Sequence, residues 1–282
     1  MNSEARVWVD GALVRPDEAS VAALDHGVTV GDGAFETCKV VDGTPFALTR
    51  HLMRLDRTMA GLGLPTADHA RIREGIEAVC EAGEPIPFGR LRFTITGGVG
   101  PMGSDRANAP LTYIVTTGPI PRPAATGVLV TVPWTRNERA ATAGLKTTSY
   151  ADNVVALAYV KERGGDEAIF ANTRGELCEG TGSNLFVVRD GVVLTPPLDS
   201  GCLAGITREL TIEWARGAGI EVREEALPLG VLDEVDEVFA TSTTKDVLGI
   251  RRVDDREFAA PGPVTARVAQ AFADASARGI DP

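Results

Sequence analysis

The sequence predicts an α+β protein built as two domains. Three observations predict it. Short runs of alternating polar and apolar residues close on Asp-Gly turns in both halves of the chain. Amphipathic stretches of helical period lie between those runs. A proline-rich stretch, Gly118-Pro119-Ile120-Pro121-Arg122-Pro123, separates the halves. The expected division is a small N-terminal domain over 1–118, a linker over 119–125 and a larger C-terminal domain over 126–282.

In the first half, Arg6–Val9 and Ala12–Val14 flank Asp10-Gly11 and form a hairpin. The segment from Asp25 to Gly33 is glycine-rich and turns tightly before a strand over 34–41. Asp42-Gly43 closes a second hairpin. Leu48 to Leu62 is an amphipathic helix with Arg50, Arg54 and Arg57 on one face, where Arg50 and Arg57 are expected in solvent. A second helix covers 68–81. Gly89 to Thr96 is a strand that puts Arg90 and Arg92 on one side. The glycine-rich loop 97–103 leads into another strand at 111–117, so it lacks the helix that a dinucleotide fingerprint requires.

In the second half, strands are expected at 127–133, 167–171, 185–188, 192–195 and 237–241. Helices are expected from just after Lys146 to about Arg163, from about Leu203 onward, and over 264–275. Gly205 and Thr207 stand at the start of the middle helix, as a structural cap or as donors to an anion.

Composition narrows the function. The chain has 282 residues, 44% of them hydrophobic, and a net charge of −11. That charge argues against nucleic acid or an anionic membrane as the main partner. Any phosphate site must therefore be local. No signal peptide precedes the first strand and no apolar run nears membrane-spanning length, so a cytoplasmic protein is expected. Cys38, Cys80, Cys178 and Cys202 are too far apart for a metal motif, and His26, His51 and His69 show no ligand spacing. No metal is expected, and the thiols are expected free.

Of the 28 Lys and Arg residues only four are lysines: Lys39, Lys146, Lys161 and Lys245. Arginine stays protonated, whereas a partly desolvated lysine can form a Schiff base. Lys146 lies in Gly144-Leu145-Lys146-Thr147-Thr148-Ser149-Tyr150, among hydroxyls and with little charge nearby. Taken alone it reads as a surface lysine in a turn.

Lys146 with Arg54, Glu179 in Glu-Gly-Thr-Gly-Ser-Asn, Gly205-Ile206-Thr207 and Ser242-Thr243, in that arrangement, resembles the class IV aminotransferases. These are the pyridoxal-phosphate enzymes of fold type IV, and the likeness runs from about Asp25 to Ile250. The resemblance implies a mixed, barrel-like sheet in the larger domain and a site between the domains. It implies that Lys146 binds the cofactor and moves the substrate proton. Tyr150 would meet the phenolic oxygen, and Glu179 would face the pyridine nitrogen. Arg54, Ile206, Thr207, Ser242 and Thr243 would hold the phosphate. The resemblance further implies a homodimer, with the 25–33 segment a candidate for an element lent to the partner.

For the substrate, Phe35 is the expected neighbour and Arg90 or Arg92 the expected carboxylate ligand, with Arg106 a third choice. By the same resemblance, the Lys146–Tyr150 spacing fits the D-amino-acid and lyase branches, and the reading leans towards a transaminase of D-amino acids, with 2-oxoglutarate or pyruvate as acceptor, in a ping-pong cycle through the pyridoxamine form. Aminodeoxychorismate lyase and a branched-chain L-amino-acid transaminase remain alternatives. Outside the family, a cofactor-free binding protein of the same fold would leave Lys146, Glu179 and Arg54 unexplained as a set.

Overall fold

A computed structural model describes residues 5–282 of the chain. It forms two compact units. The residues up to Arg122, Leu145–Tyr150 and Ile280–Pro282 make the first; Pro123–Gly144 and Ala151–Gly279 make the second. This differs from a single boundary near the prolines. Leu145–Tyr150 returns to the first unit because Thr147 bridges Ala34 and the Thr148 amide donates to Gly33 O.

The first unit contains β1 (Arg6–Val9), β2 (Ala12–Val14), a short helix α1 (His26–Thr29), β3 (Gly33–Val41), β4 (Thr44–Pro45), α2 (Leu48–Leu62), α3 (His69–Glu81), β5 (Phe88–Thr96) and β6 (Thr112–Pro119). The strands form one antiparallel sheet in the order β2-β1-β6-β5-β3-β4. The segment read as a glycine turn contains α1 because Asp25 caps it, its side chain accepting from Gly27 N.

Strand alternation sorts β3 into two faces. Ala34, Cys38 and Val40 enter a core with Leu91, Phe93, Ile95, Leu52 and Leu55. Phe35, Thr37 and Lys39 lie on the other face, opposite Thr94, Arg92 and Arg90 in register. Helix α3 comes so near the sheet at Gly75 that an added Cβ would sit 2.7 Å from Val115 Cγ2.

Helix α2 starts at Ala47, which holds φ 56° and provides no side-chain cap. The chain's last described residues serve that end instead. Ala47 N donates to Ile280 O, and Thr49 N and Oγ1 donate to the Asp281 carboxylate at 2.9 and 2.6 Å.

The second unit contains β7 (Gly127–Arg136), α4 (Ala151–Glu162), β8 (Glu167–Asn172), β9 (Leu177–Glu179), β10 (Asn184–Arg189), β11 (Val192–Thr195), α5 (Ile206–Gly217), β12 (Val222–Glu224), β13 (Glu237–Ser242), β14 (Asp246–Val253), β15 (Arg256–Glu257) and α6 (Pro263–Ser276). The strands β10-β13-β14-β7-β8-β9 run in sequence, and β9 also pairs with β10 at Glu179 and Asn184. That last pairing closes a six-stranded mixed barrel. Strand β10 is buried on both faces. Leu185 and Val187 pack inside with Leu129, Ile169 and Ile250. Phe186 and Val188 pack outward, with Phe239, Ile212 and Val268, under α5 and α6.

Candidate active site

In the first unit, Lys146 is fixed by its backbone. Its N donates to Thr58 Oγ1 on α2 at 3.4 Å, and its O accepts from Phe35 N on β3 at 3.1 Å. Leu145 beside it presses on α2, where Gly61 leaves room; a Cβ there would lie 2.7 Å from Leu145 Cδ2. Thus β3 and α2 together frame the lysine.

The Phe35 ring is the hub of this face. Lys146 Nζ lies 4.4 Å from its centroid and the Arg92 guanidinium 3.7 Å. Tyr150 meets it edge-on, with centroids 5.4 Å apart. Burial pulls the Arg92 pKa below its usual value, with a smaller opposing effect from Tyr150, but an arginine so placed still carries its charge. Its Nε donates to Thr94 Oγ1. Arg90 is exposed and joins none of these contacts. Arg106 donates to both oxygens of Asp32 and to Gly63 O.

Arg54 is buried beneath the sheet. Its Nε and Nη2 donate to the two Glu36 oxygens at 2.8 and 2.6 Å. His51, one turn earlier on α2, contacts Glu36 Oε2 through Nδ1 at 2.6 Å. Burial alone would raise the Glu36 pKa; the Arg54 charge and the hydrogen bonds from Arg54 and His51 outweigh it and bring it to about 2. Burial lowers the His51 pKa, against the pull of Glu36. A neutral His51 beside an ionised Glu36 must carry its proton on Nδ1 and donate it.

In the second unit, the predicted residues gather at one end of the barrel. Glu179 opposes Asn184 in register, and Asn184 opposes Thr241, next to Ser242. Asn184 also touches the start of α5: its Nδ2 donates to Leu203 O, and a Cβ on Gly205 would strike its Oδ1. Glu179 accepts from Leu203 N at 2.9 Å and has Arg136 Nε 3.2 Å from its other oxygen. Arg136 stacks on Phe170 and donates to Asn153. Glu167 accepts from Thr181 and Gly182 N and lies 3.8 Å from Lys245, tying the 180–183 loop to the turn after Ser242.

The structure therefore groups Lys146, Tyr150, Phe35 and Arg92 in one cluster, with Arg54 on the same β3–α2 frame. It groups Glu179, Ile206, Thr207, Ser242 and Thr243 in another and leaves Arg90 apart. Sequence reading missed Arg136, Asn153, Glu167 and the Glu36–His51 pair behind Arg54. The Arg136–Glu179 contact joins residues far apart in sequence, so no local pattern reveals it.

The donor set fits pyridoxal phosphate. An amine stands among aromatic rings, and a carboxylate lies against a guanidinium. No side chain caps the start of α5 at Ile206 and Thr207, and the leading N–H groups of a helix suit an anion. Among the described residues, no cluster of His, Cys, Asp and Glu is arranged to hold a metal ion, and no helix is long and apolar enough to cross a membrane.

Comparison with known proteins agrees. The model of the amino-transferase class IV family matches residues 33–253. The branched-chain-amino-acid aminotransferase of Escherichia coli is 30% identical over 285 residues, covering 94% of this chain and 91% of that protein. The D-alanine aminotransferase of Bacillus licheniformis is 29% identical over 279 residues, covering 95% of each. The crystal structure of the branched-chain aminotransferase of Thermoproteus uzoniensis with norvaline superposes with a TM-score of 0.84 at 29% identity, over 95% of this chain and 93% of that one. Solved relatives carry pyridoxal phosphate or its adducts. The chain belongs to the class IV aminotransferases, enzymes of fold type IV that depend on pyridoxal 5'-phosphate.

Proposed function

We propose that this aminotransferase acts on branched-chain L-amino acids, with a 2-oxo acid such as 2-oxoglutarate as acceptor. The observation that carries the substrate is the company the chain keeps: branched-chain aminotransferases outnumber D-amino-acid enzymes among the similar proteins. The surroundings of Lys146 support it. Phe35 and Tyr150 offer apolar ring surface to an aliphatic side chain, and Arg92 offers the cation that a carboxylate needs. The D-amino-acid lean drawn from the Lys146–Tyr150 spacing gains less support, and the D-alanine relative keeps it as the second reading.

In this reading, bound pyridoxal phosphate supplies the electron sink for the charge left when a Cα proton departs. Lys146 would hold the cofactor through Nζ and would take and return that proton. Glu179, oriented by Leu203 N and Arg136, would accept from the pyridine nitrogen. Tyr150 would donate to the phenolic oxygen. Arg54, the leading amides of α5 at Ile206 and Thr207, and the hydroxyls of Thr207, Ser242 and Thr243 hold the phosphate. Arg92, rather than the exposed Arg90, takes the substrate carboxylate, and Phe35 borders the substrate side chain.

The same reading takes the enzyme as a cytoplasmic homodimer. Four free cysteines support a reducing compartment. Exposed Leu24, Val28, Val30, Val99 and Met102 support a partner surface. They come from two segments joined by the Asp25–Val99 bridge and by His26 N donating to Gly98 O.

The test is a pair of half-reactions followed by the visible absorbance of the bound cofactor. L-Leucine is expected to bleach the band and D-alanine to leave it. The reverse result would move the enzyme to the D-amino-acid branch. Lys146→Ala is expected to lower turnover by roughly 10²- to 10⁴-fold, the weight of a positioned proton-transfer group. Retained transamination in that variant would remove Lys146 from its role.

A further inference from the structure

We propose that Glu36 is a positioning residue for the cofactor phosphate, acting through Arg54, with His51 as its outer support. This rests on the reading of Arg54 as a phosphate ligand.

Glu36 is oddly placed for a carboxylate. It lies on the core face of β3, between Ala34 and Cys38, where its neighbours on that face are apolar. It is fully buried, and Arg54 is buried with it. A buried ion pair is a poor source of stability, because desolvating both ions offsets most of their attraction. A hydrophobic pair would fill this core at least as well, so its presence calls for another role.

Geometry supplies one. Glu36 engages Arg54 through Nε and Nη2 together. A bidentate grip on that edge fixes the guanidinium plane and turns the Nη1 edge away from Glu36. Arginine otherwise loses several rotatable bonds of freedom when it captures a phosphate. Holding it beforehand removes that cost from binding. His51 restrains the carboxylate in turn by its Nδ1–H donation to Oε2. The chain His51, Glu36, Arg54 is thus an ordered relay of contacts that ends in a guanidinium.

The same frame holds the lysine. Phe35, adjacent to Glu36, donates its N–H to Lys146 O, and Thr58, one turn beyond Arg54, accepts from Lys146 N. The charge of Lys146 is felt at His51. One strand and one helix therefore set both the amine that meets the aldehyde and the arginine assigned to the phosphate. Loosening Glu36 is expected to blur the second without touching the first.

The test compares two ligands that share the aldehyde and differ in the phosphate. Affinities for pyridoxal 5'-phosphate and for unphosphorylated pyridoxal are measured by equilibrium dialysis on the apoenzyme. The proteins are wild type, Glu36→Gln, Glu36→Asp and Arg54→Gln. Glu36→Asp keeps the buried negative charge and serves if Glu36→Gln does not fold. Positioning predicts that both Glu36 variants weaken the phosphorylated ligand about tenfold or more, a step worth about 1.4 kcal/mol, while pyridoxal changes less than about twofold by the same scale. Equal weakening of both ligands would make Glu36 merely structural and overturn the inference. If Arg54→Gln loses the preference for phosphate while the Glu36 variants keep it, the inference fails and the phosphate reading of Arg54 stands. If Arg54→Gln itself keeps the preference, the reading of Arg54 fails and takes the inference with it.

Discussion

Glu36 shows how much one carboxylate can depend on its surroundings. Its pKa stands at about 2 in the folded chain against an ordinary 4.5. A lowered acid stabilises the fold wherever it is ionised in both states, above 4.5, and that contribution fades as pH falls towards 2. Urea midpoints measured from about pH 5.5 down to about 2.5, the window between the two values, are expected to drop more steeply for the wild type than for Glu36→Gln, and parallel curves would contradict it. The thiols stand at the other extreme. Burial pushes Cys202 up to about 11 and Cys178 higher still. They are inert packing groups rather than nucleophiles at neutral pH.

At the scale of elements, β10 and β13 meet through a buried aromatic pair. Phe186 and Phe239 stack 4.7 Å apart across their register, nearly parallel at 8°, and neither is exposed. Phe239→Ala removes a ring from a packed core and is expected to cost about 3–5 kcal/mol in denaturant unfolding. A loss under about 1 kcal/mol would mean that the core collapses to fill the space.

These strands also show what the sequence makes legible. Polar–apolar alternation is absent from β10, since both of its faces are buried. Its run of apolar residues between Asn184 and the Asp190-Gly191 turn still marks a strand plainly. The Asp10-Gly11 turn predicts the β1–β2 hairpin by similarly local logic. Barrel closure is a different matter. It hangs on one pairing, Glu179 with Asn184, which neither strand's pattern announces. The α1 turn also escapes periodicity, because a four-residue helix held by the Asp25 side chain is too short to show one.

At the scale of the whole molecule, motif order identified the site's chemistry better than its wiring. The pyridoxal chemistry was legible because Arg54, Lys146 and Glu179, in that chain order, are residue types that suit it. Their partners, Arg136 and Glu36, were not, because each contact joins separate elements that only folding brings together. Substrate choice was least legible: a single spacing pointed to D-amino acids, while likeness over nearly the full length favours branched-chain enzymes. A net charge of −11 gives no hint of assembly. The exposed apolar patch does. Val28→Asp puts a charge in that patch, and light scattering is expected to show the dimer proposed above giving way to monomer, whereas an unchanged mass would exclude this surface.

The link from Ile280–Asp281 to the start of α2 has a practical side. Arg50 Nε also donates to Pro282 O, so three tail residues clasp the helix that carries His51 and Arg54. Removing those three contacts is expected to loosen the first turn of that helix. Cofactor retention through gel filtration is expected to fall when residues 280–282 are replaced by glycines, and unchanged retention would mean that α2 holds its first turn without them.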